Sequence, residues 1–193
     1  MQTVPDSFTV QRYKLRPILL MLLSALCALN ADETGFRKEH VTGFYVAGIE
    51  ARTSNELEMR SKGKIGEIVA RVKRDGLLKK LRNRIGSDTY AVYTNYQTDR
   101  NGAYTYFLGA KVSSSQSIPR GMVSRRVPSG EYATVTGAGV PAVNVVLKLW
   151  HRIWDLEDSH QINRAYKTDF EVHHGIDENN DPGGRVDLYV GVK

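Results

Sequence analysis

The sequence predicts an α+β fold: a tandem βαββ repeat forming an antiparallel sheet, with two helices on one face and a central ligand cleft on the other. Two observations predict it. The order strand, helix, strand, strand occurs twice, in half-repeats at about 43–112 and 130–193. An apolar helical stripe follows the first strand of each half, so both helices are expected to cover the same face of the sheet. The opposite face is then left for solvent, for self-association or for function.

The first half-repeat begins with residues 43–50, which are apolar and β-prone and are predicted to form a strand. Residues 57–74 are predicted to form one helix, because apolar side chains recur there at offsets of three, four and seven, and Gly76 ends it. Residues 89–96 and 104–112 are predicted to form two strands, joined by a loop of turn-forming residues.

The second half-repeat follows a connector that is rich in serine, proline and glycine. Residues 131–136 are predicted to form its first strand. An apolar stripe over 143–154 indicates the second helix, with Pro141 suited to its first turn. The last two strands are predicted at 166–173 and 186–192, on either side of an acidic loop. That loop alternates acids and amides as a calcium loop does, but it lacks the glutamate at the twelfth position, so we predict no metal site.

The N-terminus has the layout of a secretory signal peptide. Three basic residues precede the uncharged apolar run 18–29, and small residues follow it. A membrane-spanning helix needs about 20 apolar residues, more than this run provides. We therefore expect 1–31 to be a signal peptide or an N-terminal apolar segment, with 32–193 exported to a bacterial periplasm and no stable membrane span after cleavage. A buried helix or an uncleaved anchor is the alternative, and without a signal the protein would be cytoplasmic.

Composition excludes some classes of protein. A single cysteine rules out a disulfide framework and a cysteine-rich metal site. The net charge of +6 comes from 27 Lys and Arg against 21 Asp and Glu, and a surplus of this size does not by itself indicate nucleic acid. The basic run over 71–84 contains no aromatic residue on which bases could stack, so we expect no nucleic-acid partner.

Several short segments between Gly43 and the C-terminus carry a family resemblance through their order and spacing. The main ones are YAVY at 90–93, GAYT at 102–105, VPSGEYA at 127–133, LWHRIW at 149–154, DFE at 169–171 and LYVGV at 188–192. Together they resemble the gyrase-inhibitor-like (GyrI-like) proteins and the effector-binding domains of AraC- and MerR-type regulators. The resemblance implies a tandem βαββ fold whose halves enclose a cleft for small, often cationic and aromatic, molecules. Members serve as drug binders, sensing domains or gyrase-protecting proteins, and some relatives are hydrolases, so the family implies binding more firmly than chemistry.

Two features depart from the family pattern. His173 stands two positions after Glu171, where the pattern has an aromatic residue, and this leaves the identity of the ligand open. No helix-turn-helix precedes the domain in this sequence, so we do not expect a direct role as a transcription factor.

Glu171 is the central candidate for the site, since it matches the acidic residue that family members place in the cleft. Strand alternation puts it on one face with the residues two positions away on either side. The other face, with Phe170 and Val172, is expected to pack under the helices, which leaves Glu171 on the open face. The ligand-binding residues that we predict are Glu171, Tyr93, Asn95, Asp169, His173, Tyr106, Tyr189 and Trp150.

This set of residues predicts non-enzymatic binding of a small organic, cationic or amphipathic molecule, as in multidrug binding. A carboxylate among aromatic rings attracts an organic cation by Coulomb and cation–π interactions. We predict a small-molecule partner, no cofactor, no metal and no catalytic residue; a protein partner stays unknown. The alternative is a small-molecule hydrolase in which desolvation raises the pKa of Glu171, so that it acts as general acid or base with Tyr93 or His173 assisting. A module that binds protein through the open face and a haem carrier are further alternatives.

Overall fold

The structure is a computed structural model that describes residues 35–139, 142–175 and 184–193. The predicted N-terminal segment 1–31, Pro141 and most of the acidic loop lie outside the described residues, and the domain boundaries stay predictions. Within the described ranges, no helix is both long and apolar enough to cross a membrane.

The described chain forms one eight-stranded antiparallel sheet with three α-helices, which confirms the predicted α+β class. The elements are, in order, β1 (Arg37–Val41), β2 (Phe44–Thr53), α1 (Asn55–Met59), α2 (Ile65–Arg74), a 3-10 helix (Leu77–Lys80), β3 (Thr89–Thr94), β4 (Tyr104–Val112), β5 (Val123–Val127), β6 (Gly130–Ala138), α3 (Ala142–Asp158), β7 (Arg164–His173) and β8 (Arg185–Val192). The strand order across the sheet is β1-β6-β8-β7-β3-β4-β2-β5. Strands β7 and β3 therefore lie at the centre of the sheet.

The two longer helices cover the same face of the sheet, as the sequence predicts. Helix α2 packs on β2 and β4, where Ile68 and Val72 are buried, and α3 packs on β6 and β8, where Leu149 and Ile153 are buried. Each helix has its own apolar cluster, and Trp150 of α3 packs against both clusters. The centre of this face, over β3 and β7, therefore lies where the two helical layers meet.

The opposite face is not the open surface that the sequence suggested. Side chains from β2, β3, β4 and β7, among them Phe107 and Phe170, form a third buried cluster there. Phe44 contacts the rings of Tyr90 and Phe170, at centroid distances of 5.5 and 5.6 Å. This face is filled by the protein's own side chains, so the prediction of a ligand cleft on the side away from the helices is wrong.

The segment predicted as a single helix over 57–74 forms two helices instead. Glu58, in α1, accepts hydrogen bonds from the backbone N–H groups of Lys64 (2.7 Å) and Ile65 (3.2 Å) at the start of α2. The Thr53 hydroxyl donates to the same carboxylate oxygen at 2.5 Å. Apolar spacing does not reveal this break, because the break depends on a carboxylate that caps the next helix.

The two edge strands, β1 and β5, were not predicted from the sequence. Strand β1 (RKEHV) is polar and mostly exposed, and β5 lies within the connector that was expected to be irregular. Charged edge strands of this kind discourage pairing with other chains, and they lack the apolar alternation that marks a half-buried strand.

Candidate functional site

Glu171 lies on central strand β7 and faces the helices. It is opposite Ala91 of β3 and Leu188 of β8, and it is only 2% exposed. Phe170 and Val172 point to the other face of the sheet. The predicted alternation is confirmed, but the assignment of its two faces is reversed, because alternation cannot tell which face the helices will cover.

Three donors from three different elements converge on the Glu171 carboxylate. The hydroxyl of Tyr93 (β3) and the indole N–H of Trp150 (α3) donate to Oε1 at 2.6 and 2.7 Å. Nε2 of His173, on β7 itself, lies 2.7 Å from Oε2. Burial raises the pKa of Glu171, but the hydrogen bond and charge of His173, together with the hydrogen bonds from Tyr93 and Trp150, lower it more, so its pKa lies below the usual value. The site therefore holds an ionised carboxylate out of water.

Aromatic rings form the wall beside this carboxylate. The ring of Tyr93 contacts those of Trp150, Tyr106 and Tyr104 at centroid distances of 4.9, 5.3 and 5.6 Å. Burial, followed by the nearby charge of Glu171, raises the pKa of Tyr93 and of Tyr106 well above 10. These phenols stay neutral near physiological pH, so they offer donor hydroxyls and π faces to the site.

A second buried carboxylate, Asp169, lies two residues along the same strand. Its Oδ2 accepts from Arg164 Nη2 (2.5 Å) and the Tyr96 hydroxyl (2.7 Å), and its Oδ1 accepts from the backbone N–H of Gly191 (2.9 Å). The side chains of Arg164 and Asp169 are 1% and 0% exposed. Asp169 is thus fully engaged by the protein itself.

The Arg164 guanidinium also lies among three aromatic rings. Its central carbon is 4.3 Å from the ring centroid of Tyr166, 5.5 Å from that of Trp150 and 5.9 Å from that of Tyr96. The protein therefore already holds one cation of its own between a carboxylate and aromatic rings, next to Glu171.

Tyr166 explains how Arg164 reaches this position. It adopts φ 52°, and the pairing register of β7 with β8 shifts between Arg164 and Asp169. The extra backbone at such a bulge re-aims the side chains before it. Tyr166 itself turns toward α3, where its hydroxyl donates to Glu157 at 2.6 Å.

A polar cavity of about 640 Å³ opens beside this bulge. Its walls include Arg164 and Tyr166, together with Arg100, Glu157, His160 and Asn163. Glu171 is not among the residues that line it, so the buried carboxylate and this cavity are separate features of the described chain.

The structure brings most of the predicted site residues together. Tyr93, His173 and Trp150 contact Glu171 directly, Tyr106 stands in the aromatic wall, and Asp169 lies beside them on β7.

Two predicted residues lie elsewhere. Asn95 follows the end of β3 with φ 52° and is exposed, and its side-chain amide donates to the hydroxyl of Thr105 at 3.5 Å. Tyr189 stacks on Phe170, at 4.4 Å between centroids, on the face away from the helices. Asn95 lies beyond the end of β3, so the alternation of strand side chains does not apply to it. Tyr189 points away from the helices because its neighbours Leu188 and Val190 face them, and adjacent side chains on a strand point to opposite faces.

Sequence reasoning missed Arg164, Tyr96 and Tyr104. Tyr96 is the last residue of one predicted strand and Tyr104 is the first residue of the next, so the tyrosine-rich pattern could have included them. No pattern in the sequence distinguishes Arg164, because its position depends on the bulge. Among the described residues, no group of three or more His, Cys, Asp or Glu side chains is placed to hold a metal ion.

Comparison with known proteins identifies the family. The model of the Cass2 family, described as integron-associated effector binding protein, matches residues 39–192. The chain belongs to the Cass2 family. This confirms the resemblance to GyrI-like effector-binding proteins that the sequence motifs carry.

Relatives agree with this assignment. An integron cassette protein of Vibrio cholerae, VCH_CASS2, is 30% identical with a TM-score of 0.68, over 82% of this chain and 96% of its own. YobU of Bacillus subtilis strain 168, a candidate transcriptional regulator, is 29% identical over 150 residues, which are 76% of this chain and 91% of YobU. The structure of SAV2435 bound to tetraphenylphosphonium has a TM-score of 0.64 at 15% identity, over 82% of this chain and 93% of that one, and shares the fold.

Proposed function

We propose that this protein binds a small organic cation against the carboxylate of Glu171, without chemical conversion. One observation carries the proposal: an ionised carboxylate is buried at the centre of the sheet and flanked by the rings of Tyr93 and Trp150. A buried charge is costly unless a partner compensates it, and an organic cation with aromatic character would both neutralise and stack in such a place. Membership of an effector-binding family and a structural neighbour that holds tetraphenylphosphonium support the same ligand class.

The surroundings of Arg164 show that this chain can hold a cation between a carboxylate and aromatic rings. There a guanidinium is held by Asp169 and the rings of Tyr96, Trp150 and Tyr166. Trp150 takes part in both places, since its indole N–H donates to Glu171. The ligand would use at Glu171 the same combination of carboxylate and ring faces that Arg164 uses beside it.

Entry of a ligand requires part of the site to move, because Glu171 is covered in the described structure. Of the two aromatic residues that cover Glu171, Trp150 is half-buried and belongs to α3, whereas Tyr93 is buried and held in the central strand β3. A shift of the indole away from Oε1 would expose the carboxylate and leave the tyrosine wall in place. Trp150 is therefore also a natural fluorescent reporter of binding.

The direction of the Glu171 pKa disfavours the general-acid form of the hydrolase alternative. A general acid at neutral pH needs a raised pKa, and the sequence-based expectation was that desolvation would raise the pKa of Glu171. The hydrogen bond and charge of His173, with the hydrogen bonds from Tyr93 and Trp150, lower its pKa instead. A carboxylate that stays ionised is suited to holding a cation.

Binding of tetraphenylphosphonium to the purified protein, followed by calorimetry and by tryptophan fluorescence, tests the proposal. Glu171→Gln removes the charge but nearly keeps the shape, and we expect the affinity to fall by at least about tenfold, since the ligand loses the buried counter-charge that the proposal assigns to it. Glu131→Gln removes the same charge from an exposed strand position and is the matched control. Equal affinity of the Glu171→Gln variant and the wild type, or no binding by the wild type, would overturn the proposal.

A further inference from the structure

The two buried carboxylates that face the helices are neutralised in different ways. Asp169 is paired with Arg164, whose guanidinium does not lose its proton in proteins. Glu171 is paired with His173, and histidine is the side chain that ordinarily changes charge between pH 5 and 8. The His173 side chain is 16% exposed, against 1% for Arg164, so it can exchange protons with solvent. The partner of Asp169 thus keeps its positive charge, whereas the partner of Glu171 is of a residue type that can lose it.

We propose that His173 is a titratable internal counter-ion that competes with the ligand for Glu171 and so makes cation binding tighter at alkaline than at acidic pH. The inference rests on the proposed function, because it concerns the same carboxylate. Under this proposal, His173 determines the pH range in which the site binds a cation.

The geometry at the two carboxylate oxygens supports competition. Oε1 accepts from two neutral donors, Tyr93 and Trp150, whereas the described partner of Oε2 is His173 at 2.7 Å. A protonated imidazole puts a full positive charge at the position that a cationic ligand would need. Two cations beside one buried carboxylate repel each other where the dielectric constant is low. A ligand therefore binds the form in which His173 is neutral, and binding to the protonated form must release a proton or displace the ring.

The tyrosines that face Glu171 do not change charge over the same range. Burial raises the pKa of Tyr93 on β3 and of Tyr104 and Tyr106 on β4, which keeps these phenols neutral. The charge of Glu58, from α1, acts on Tyr104 and Tyr106, and it adds to the same upward shifts. Trp150, from α3, does not titrate.

The residues paired with His173 on the neighbouring strands do not change charge either. Its partners across the sheet are Thr89 on β3 and Val186 on β8, neither of which is ionisable. On this face the structure also describes the pair of Arg164 with Asp169, and the guanidinium of Arg164 keeps its proton. Among the groups named here, His173 is therefore the one whose residue type ordinarily changes charge between pH 5 and 8.

The sign of the effect follows from proton linkage. Raising the pH removes the proton of His173, leaves Glu171 without an internal counter-charge and strengthens cation binding. If one proton is released when the ligand binds, the affinity changes by at most about tenfold for each pH unit on the acidic side.

Titrating the protein with tetraphenylphosphonium from pH 5 to pH 8 tests the inference, because the charge of this probe does not depend on pH. We expect the wild type to bind at least about tenfold more tightly at pH 8 than at pH 5. His173→Gln should bind with nearly constant affinity over this range. His174→Gln is the matched control and should keep the wild-type pH dependence, because His174 lies on the other side of the strand with Asp88 and Asp187.

A second measurement needs no variant. The NMR signal of the His173 ring should titrate at lower pH when tetraphenylphosphonium is bound, since a neighbouring cation disfavours the imidazolium. Binding that depends on Glu171 but not on pH, or a His173 titration that the probe does not move, would overturn this inference and leave the proposed function standing. Wild-type binding that Glu171→Gln does not weaken would remove the proposed function itself.

Discussion

At the scale of single residues, Arg164 and Asp169 form a buried ion pair whose two charges depend on each other. Burial lowers the pKa of Arg164, but Asp169, Tyr96 and Tyr166 together raise it above its usual value, so the guanidinium stays charged while its side chain is 1% exposed. Removing one partner of such a pair leaves the other charge buried without compensation, which costs far more than the pair contributes when intact.

Arg164→Met should therefore lower the free energy of unfolding by about 3–5 kcal/mol, as measured by urea denaturation. Arg100→Met is the matched control, because Arg100 pairs with Asp158 at 2.7 Å near the surface, where the two side chains are 31% and 60% exposed. We expect that change to cost less than about 1 kcal/mol. If both variants lose the same stability, the Arg164 pair does not behave as a buried one.

At the scale of elements, the junction between α1 and α2 shows how one carboxylate can end one helix and begin the next. Lys64, at the N-cap of α2, makes no capping hydrogen bond through its side chain. Glu58 accepts from the backbone N–H groups of Lys64 and Ile65 instead, and it also ties α2 to β2 through Thr53. The first turn of α2 thereby obtains from the neighbouring helix the acceptor that its own sequence lacks.

Glu58→Ala should destabilise the protein by about 1–2 kcal/mol, the usual cost of a lost helix cap. Glu56→Ala, two residues earlier on the same helix, removes an exposed glutamate paired with Arg60 and should cost less than about 0.5 kcal/mol. Thermal or urea unfolding of the two variants measures the difference. An equal loss in both would show that Glu58 acts through helix propensity alone and not as a cap.

At the scale of the whole described unit, the sheet encloses a core on the face away from the helices. The join between β1 and β2 comes close to the join between β5 and β6 at Gly43: a Cβ added there would lie 2.9 Å from the backbone N of Ser129 and 3.1 Å from the carbonyl O of Val127. Because β1 and β5 are the two outer strands of the sheet, this contact brings its opposite edges together. The apolar cluster around Phe107 and Phe170 is thereby closed off from water.

Gly43→Ala should weaken that closure and lower the free energy of unfolding by about 1–3 kcal/mol, since backbone atoms must shift to admit the methyl group. Gly66→Ala is a control of opposite sign, because Gly66 lies in α2 with nothing within 4 Å of an added Cβ. There alanine should stabilise the helix by about 0.5–1 kcal/mol. A stabilising effect at both positions would mean that the two joins do not pack as described.

Much of this architecture can be predicted from local sequence patterns. The alternation over 166–173 grouped Glu171 with Asp169 and His173 correctly, because side chains on a strand alternate whatever packs on them. The apolar stripe of α3 and the strand at Tyr104–Val112 were likewise predicted, since burial on one side imposes a fixed period. Export by the segment 1–31 stays a prediction from composition.

Long-range packing decided the rest. It set which face of the sheet the helices cover, and therefore placed Glu171 beneath Trp150 rather than on an open surface. It also set the bulge at Tyr166 that turns Arg164 toward Asp169. The sequence alone determined the periods and the residue types of the site, because both are local. Only the tertiary structure decided which donors meet at one carboxylate, because those donors come from strands and helices far apart in the chain.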